Sequence, residues 1–172
     1  MVRIFFVLSF ALLIFSSCSH SYYIVRHAEK ATAETNMSSD VPLTEKGKER
    51  AEELKRTLVK KGIAFVFSTN TIRTKSTAQP TADYFHLTTE IYGPQATPAF
   101  ISLLKSKKGN VLIVGHSNTV DDIVNMLCGR KEVPGDLPDT EYNKLFIVKM
   151  KGKKTTFIES FIYYPVPPNP KF

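Results

Sequence analysis

Short apolar runs that end in polar clusters recur along the chain. Tyr22-Tyr23-Ile24-Val25 leads into Arg26-His27-Ala28-Glu29-Lys30. A run this short, rich in Tyr, Ile and Val, predicts a buried strand rather than a helix. Ile63 to Phe67 predicts a second strand, followed by Ser68-Thr69-Asn70, and Leu87 to Tyr92 a third. Val111 to Val114 predicts a fourth, ending at Gly115-His116-Ser117-Asn118. Helical spacing appears between these runs. Ala51, Leu54, Leu58 and Val59 share one face of a helix opened by Pro42-Leu43-Thr44, with Thr44 as N-cap and Gly62 as the stop. A helix carrying Arg73 follows the second strand, divided or restarted at Pro80. Phe100, Ile101, Leu103 and Leu104 predict one face of a third helix, and Val120, Ile123, Val124 and Leu127 that of a fourth. Gly129 to Thr140 is a polar, proline-containing excursion. Lys144 to Met150 and Thr155 to Ile162 predict a hairpin around Lys151-Gly152-Lys153-Lys154. Strands alternating with helices imply an α/β three-layer sandwich with a mainly parallel central sheet covered on both faces.

A chain of 172 residues suits one domain with a real core. Its first residues read differently from the rest. Arg3 is followed by the apolar run Ile4 to Phe15 and then by Ser16-Ser17-Cys18-Ser19-His20. A charged start, a short apolar region and small residues describe a secretory signal. The run is shorter than the roughly 20 residues a spanning helix needs. Cys18 after two serines resembles a bacterial lipobox, with Phe15 where leucine is usual. The expected organisation is a signal over 1–17, a domain over 18–164 and a proline-rich tail over 165–172. Cleavage before Cys18 and lipidation of its sulfur would place the protein in the bacterial cell envelope, at the periplasmic face or the cell surface. A soluble secreted protein or an uncleaved anchor is the alternative. With Cys18 lipidated, Cys128 is the remaining thiol and no intramolecular disulfide is expected.

The formal charge is +7. The lysines are scattered through many segments, which argues against a nucleic-acid-binding tract. Such a charge would concentrate anionic substrates or draw the protein toward anionic lipid.

Candidate chemistry sits at the strand ends, where open α/β sheets bind ligands. Arg26-His27, Ser68-Thr69 with Arg73 nearby, and His116-Ser117-Asn118 are similar in kind. Two arginines and two histidines, with amides at the helix start after His116, would make an anion site. No acidic cluster suggests a divalent metal, and two isolated histidines fall short of the usual zinc ligand set. No cofactor is expected.

These blocks resemble the histidine phosphatase superfamily, also called phosphoglycerate mutase-like. Arg26-His27-Ala28-Glu29 is similar to its Arg-His-Gly/Ala-Glu signature, and Pro42-Leu43-Thr44-Glu45-Lys46-Gly47 to its Pro-Leu-Thr-x-x-Gly segment. Ser68-Thr69 through Arg73, Thr77 and Ala78 resembles its Ser-Ser-x-x-x-Arg-Ala-x-x-Thr-Ala stretch, and Gly115-His116-Ser117 its last block. The short chain resembles the compact phosphohistidine phosphatases of that superfamily.

The resemblance implies a metal-independent phosphatase with His27 as the nucleophile. Arg26, Arg73 and a protonated His116 would bind the phosphoryl oxygens, with Ser117 as a further contact. Ser68, Ser117 and Asn118 fit a cap or turn role equally well. The family's usual general acid has no counterpart in the loop after the third strand or just after His116. Glu29, Glu90, Asp121 and Asp122 remain candidates, and none is assigned. Alkyl phosphates need a proton donor more than aryl phosphates or phosphoramidates do. The expected partner is a phosphorylated small molecule or a phosphoprotein, with membrane association through the N-terminal lipid and no nucleic acid. A non-catalytic phosphate-binding lipoprotein and a phosphoglycerate mutase-type phosphotransferase are the alternatives.

Overall fold

The structure is a computed structural model that describes residues 19–32 and 40–162. The proposed signal, Cys18, the end of the domain at 163–164 and the tail over 165–172 lie outside the described residues. Six strands form one sheet in the order β3-β2-β4-β1-β5-β6. The strands are β1 (Ser19–Arg26), β2 (Ile63–Thr69), β3 (Thr89–Tyr92), β4 (Asn110–Gly115), β5 (Lys144–Lys151) and β6 (Lys154–Phe161). The first four are parallel; β5 and β6 run antiparallel as the expected hairpin. The helices are α1 (Glu45–Leu58), α2 (Ile72–Tyr84), α3 (Pro98–Ser106) and α4 (Val120–Cys128).

Alternation along the central strands divides the core into two layers, because successive strand side chains point to opposite faces. Tyr22 and Ile24 of β1, with Val111 and Ile113 of β4, pack against α3 and α4. Tyr23, Val25, Leu112 and Val114 face the other way, toward Leu54 and Leu58 of α1 and Ala78 and Ala82 of α2. The three-layer α/β sandwich is therefore as expected. Among the described residues no helix is long and apolar enough to cross a membrane.

Several elements differ from their sequence reading. Helix α2 runs unbroken through Pro80. Its buried face consists of Thr74, Thr77, Ala78, Thr81 and Ala82, so small side chains seated against the sheet hold it where the apolar pattern is weak. Strand β3 begins at Thr89 rather than Leu87. In α3, Phe100, Ile101 and Leu104 are buried, but Leu103 is exposed on the outer side. Helix α1 follows its reading: Thr44 Oγ1 accepts from the Gly47 amide at 3.0 Å. A 3-10 turn over Val59–Lys61 then ends at Gly62 in the left-handed region.

Two glycines set how closely the site segments approach. A Cβ on Gly47 would lie 2.2 Å from the Glu29 carbonyl oxygen. That oxygen also accepts from the Thr44 amide at 2.9 Å, so the start of α1 is seated on the segment after His27. A Cβ on Gly115 would lie 2.7 Å from the Tyr92 hydroxyl. The Gly115 carbonyl accepts from the His27 amide at 2.9 Å, which ties the ends of β1 and β4 together.

Candidate active site

The parallel register pairs Arg26 with Gly115, so His27 and His116 emerge side by side at neighbouring strand ends. Their rings stand edge to face with centroids 5.6 Å apart. His27 is only 4% exposed. Its Nδ1 lies 2.8 Å from the Ala28 carbonyl oxygen. A carbonyl can only accept, so Nδ1 carries the proton and Nε2 keeps its lone pair.

His116 is fixed by a different chain of hydroxyls. Its Nε2 lies 2.9 Å from Thr69 Oγ1 at the end of β2. Thr69 donates its own proton to Thr74 Oγ1 at 3.0 Å, so Nε2–H of His116 donates to Thr69. The remaining nitrogen, Nδ1, faces an Arg73 terminal nitrogen at 3.5 Å. Arg73 stands in the first turn of α2, and Thr77 one turn later holds that helix to the His27 segment. Thr77 Oγ1 donates to the Arg73 carbonyl at 2.7 Å and accepts from the Ala28 amide at 2.9 Å.

Burial pushes the His27 pKa down to about 4, against the Ala28 carbonyl, which raises it; Arg26, Arg73 and His116 lower it further. Burial likewise pushes His116 to about 4, helped by Arg73 and Arg26 and opposed by Asp40. Both imidazoles are therefore neutral at neutral pH. The protonated His116 that the resemblance implies requires an anion against it, which favours the imidazolium.

Arg26 is 5% exposed and clasped by the segment between α4 and β5. One terminal nitrogen donates to the carbonyls of Pro138 at 2.9 Å and Glu141 at 3.3 Å. The other reaches Asp139 Oδ1 at 3.3 Å and the Tyr142 hydroxyl at 3.5 Å. The guanidinium carbon lies 4.2 Å from the Tyr142 ring centroid. Its Nε is buried and has no hydrogen-bond partner among the described residues. A buried donor of this kind is costly to leave unmade and suits an anion's oxygen.

The four residues read as central, Arg26, His27, Arg73 and His116, are thus brought to one end of the sheet. Ser117 adjoins His116, and its carbonyl accepts from the Leu137 amide at 2.9 Å. Ser68 is fully buried and donates to the Thr69 carbonyl at 2.9 Å, a structural role. Asn118 is exposed in the turn before α4. The amides of Thr119 and Val120 turn back onto the His116 carbonyl, both at 3.2 Å. These two amides are not free to receive an anion.

The candidate general acids lie elsewhere. Glu29 is held by Arg50 through bonds of 2.7 and 2.6 Å, with Lys46 at 3.6 Å. Burial would raise its pKa, but Arg50 and Lys46 outweigh that and keep it below the ordinary value. Glu90 pairs with Lys107 at 3.0 Å. Asp121 is buried in the first turn of α4 and Asp122 is exposed there. Both line a cleft with Asn125, Arg130 and Lys131 that includes neither histidine.

Sequence reasoning placed Thr69 in the strand-end cluster without pairing it with His116, and missed three neighbours of the site: Tyr142, Asp139 and Asp40. Asp40 lies 3.6 Å from Arg73 and accepts from the Ile72 amide at 2.7 Å. Which histidine Thr69 meets depends on the pairing of β2 with β4, which the local pattern does not carry. The others come from loops whose composition carries no signal. Tyr142 also walls a cleft of about 570 Å³ with Glu29, Lys46, Arg50 and Asn143, whose lining includes neither histidine. Among the described residues no group of three or more His, Cys, Asp or Glu is placed to hold a metal ion.

The sequence profile of the histidine phosphatase superfamily (branch 1) matches residues 22–92, which bears out the resemblance over the first three signature blocks. The His116 block lies beyond that match. A protein assigned as the phosphohistidine phosphatase SixA from Agrobacterium tumefaciens has a similar structure. Its TM-score is 0.64 at 19% identity, over 84% of this chain and 98% of its own. The protein histidine phosphatase SixA solved with tungstate gives 0.63 at 22% identity, over 82% and 96%. A protein assigned as an alpha-ribazole-5'-phosphate phosphatase from Escherichia coli K-12 gives 0.62 at 16%, over 81% and 94%. These similarities show the shared fold. No curated protein is a recognisable sequence relative of the chain.

Proposed function

We propose that the chain is a phosphatase of the histidine phosphatase superfamily, hydrolysing a phosphomonoester or phosphoramidate through a covalent phosphohistidine on His27. The observation that carries this reading is the His27 tautomer. Ala28 holds the proton on Nδ1, and Nε2 is an unprotonated nucleophile beside His116 and two arginines. Nε2 attacks phosphorus in line, a P–N bond forms and the bond to the leaving group breaks. Arg26, Arg73 and His116, protonated once the anion is bound, stabilise the charge on the equatorial oxygens. Water then attacks the phosphohistidine, releasing inorganic phosphate and neutral His27.

With Glu29, Glu90 and Asp121 engaged or buried elsewhere, the site favours leaving groups that need little protonation. Aryl phosphates and phosphoramidates, phosphohistidine among them, are the substrate classes so supported. The named charges meet the phosphoryl group, so the mechanism assigns no metal. The mature protein should release phosphate from para-nitrophenyl phosphate in the presence of a chelator. Activity lost on chelation and restored by zinc or magnesium would contradict the metal-free mechanism. Saturable phosphate binding without turnover on any aryl phosphate or phosphoramidate would assign a binding protein instead.

The proposal extends to location: an envelope lipoprotein held through acyl chains on Cys18. Its support is the charged start, the apolar run Ile4 to Phe15 and the small residues before that cysteine. Cys18→Ser should move the protein out of the membrane fraction or block its processing. Unchanged fractionation together with unchanged mature mass would reject lipidation.

A further inference from the structure

The positive charge is scattered in sequence but gathered in space. The parallel strands all start at the end of the sheet opposite His27 and His116. Lys60 and Lys61 stand just ahead of β2, and Lys108 just ahead of β4. Lys151, Lys153 and Lys154 form the β5–β6 turn. Three contacts bring these loops around the start of β1. Ser19 pairs with Lys151 in register. The Ser21 amide donates to Asn110 Oδ1 at 2.8 Å, and Asn110 Nδ2 donates to the Lys61 carbonyl. All six lysines are exposed, and none is in an ion pair among the described residues.

Carboxylates gather at the other end. Asp40, Asp139 and Glu29 pair with Arg73, Arg26 and Arg50, and Glu141 and Glu159 with Lys144. At the basic end Glu90 is taken by Lys107, and Asp83 stands at the last turn of α2. The charge is therefore polarised along the strand axis, with its basic pole where the chain enters the fold.

We propose that this basic pole is a docking surface for an anionic phospholipid bilayer, with the active site directed away from the membrane. The inference goes beyond the phosphatase reading and rests on the membrane attachment proposed with it. One observation favours lipid over nucleic acid. Cys18, the residue proposed to carry the acyl chains, directly precedes Ser19 at the start of β1. One residue spans at most about 3.6 Å when fully extended. Acyl chains held in lipid would keep the lysines within about two Debye lengths of the headgroups at physiological salt. Each basic residue near an anionic surface changes partitioning by about fivefold. Strand β1 is 8 residues long, which sets the catalytic end about 25 Å further out. A soluble or protruding phosphorylated substrate reaches that end; the headgroups of the docked membrane do not.

The lipidated mature protein, added to preformed vesicles and acetylated with a membrane-impermeant amine reagent, tests this by peptide mass spectrometry. In vesicles containing phosphatidylglycerol, Lys60, Lys61, Lys108, Lys151, Lys153 and Lys154 should be labelled about fivefold or more slowly than in pure phosphatidylcholine. Lys48 and Lys75, on α1 and α2, should be labelled equally in both. About 1 M salt should erase the difference, because the Debye length falls to about 3 Å. The variant Lys151→Glu/Lys153→Glu/Lys154→Glu, confined to an exposed turn, should lose the protection at Lys60 and Lys61. Attachment to both vesicle types with equal labelling would overturn the docking surface and leave the attachment standing. No attachment to either would overturn both. Protection by duplex DNA in solution, with none on anionic vesicles, would assign the pole to nucleic acid and overturn the proposal.

Discussion

His27→Ala is expected to lower phosphatase turnover by about 10⁴-fold or more, since removing a covalent nucleophile forfeits the step the other groups serve. The loss should fall on turnover and not on anion binding. Arg26, Arg73 and His116 remain, and the buried Arg26 Nε still lacks any other partner among the described residues. Inorganic phosphate should bind the variant with an affinity within about tenfold of the parent, as a uniform binding contribution from the arginines requires. Acid stability separates this from misfolding. The His27 pKa is lowered from 6.5 to about 4 in the folded protein. Between those values the unfolded chain binds a proton at this site that the folded protein does not. The parent therefore loses stability as pH falls from 6.5 toward 4, and the loss levels off below 4. Without His27, that share of the acid sensitivity disappears. Thermal unfolding across pH 4–7 should show a shallower decline for His27→Ala. A variant that unfolds at neutral pH, or that keeps substantial turnover, would contradict the role given to His27.

His116→Ala should cost less, about 10²–10³ in turnover, the usual effect of deleting one group that stabilises transition-state charge. Its more specific signature is a proton. Burial, Arg73 and Arg26 lower the His116 pKa to about 4, so its imidazole is neutral at neutral pH. A dianionic phosphoryl group beside Nδ1 favours the imidazolium and raises that pKa toward neutrality. Binding of sulfate, which unlike phosphate is fully dianionic near pH 6, should therefore take up a proton from solution. Calorimetry in buffers of different ionisation enthalpy would measure it, and His116→Asn should abolish it. Binding without proton uptake in the parent protein would mean that His116 stays neutral throughout, and that the arginines alone meet the charge.

The strand ends are legible in the sequence because a buried parallel strand is an uninterrupted apolar run, and its end is where polarity returns. Arg26-His27 and Gly115-His116 can be placed at the mouth of the sheet on that pattern alone. Helix α2 is less legible. Its buried face is built from threonines and alanines that resemble a polar surface until Thr77 is seen bonded to both Arg73 and Ala28. Pro80 reads as a break, but burial of that face carries the helix through it. The immediate partners of the charged groups are legible least of all. Arg26 meets Asp139 and Tyr142 more than a hundred residues later, and His116 meets Thr69 across β2. Loop geometry, not local pattern, makes such contacts. The protonation state of His116 is likewise a property of packing: burial sets it, and burial depends on the whole fold.

Central to the proposed mechanism is a P–N bond at one atom. Rapid acid quenching during turnover of a substrate labelled with radioactive phosphate, followed by digestion and peptide mapping, tests it most directly. Label should appear on the peptide containing His27, be lost in acid and survive in base, and be absent from His27→Ala. Label on His116 or on a serine such as Ser68 or Ser117, or turnover with no trapped label on His27 at any quench time, would contradict it.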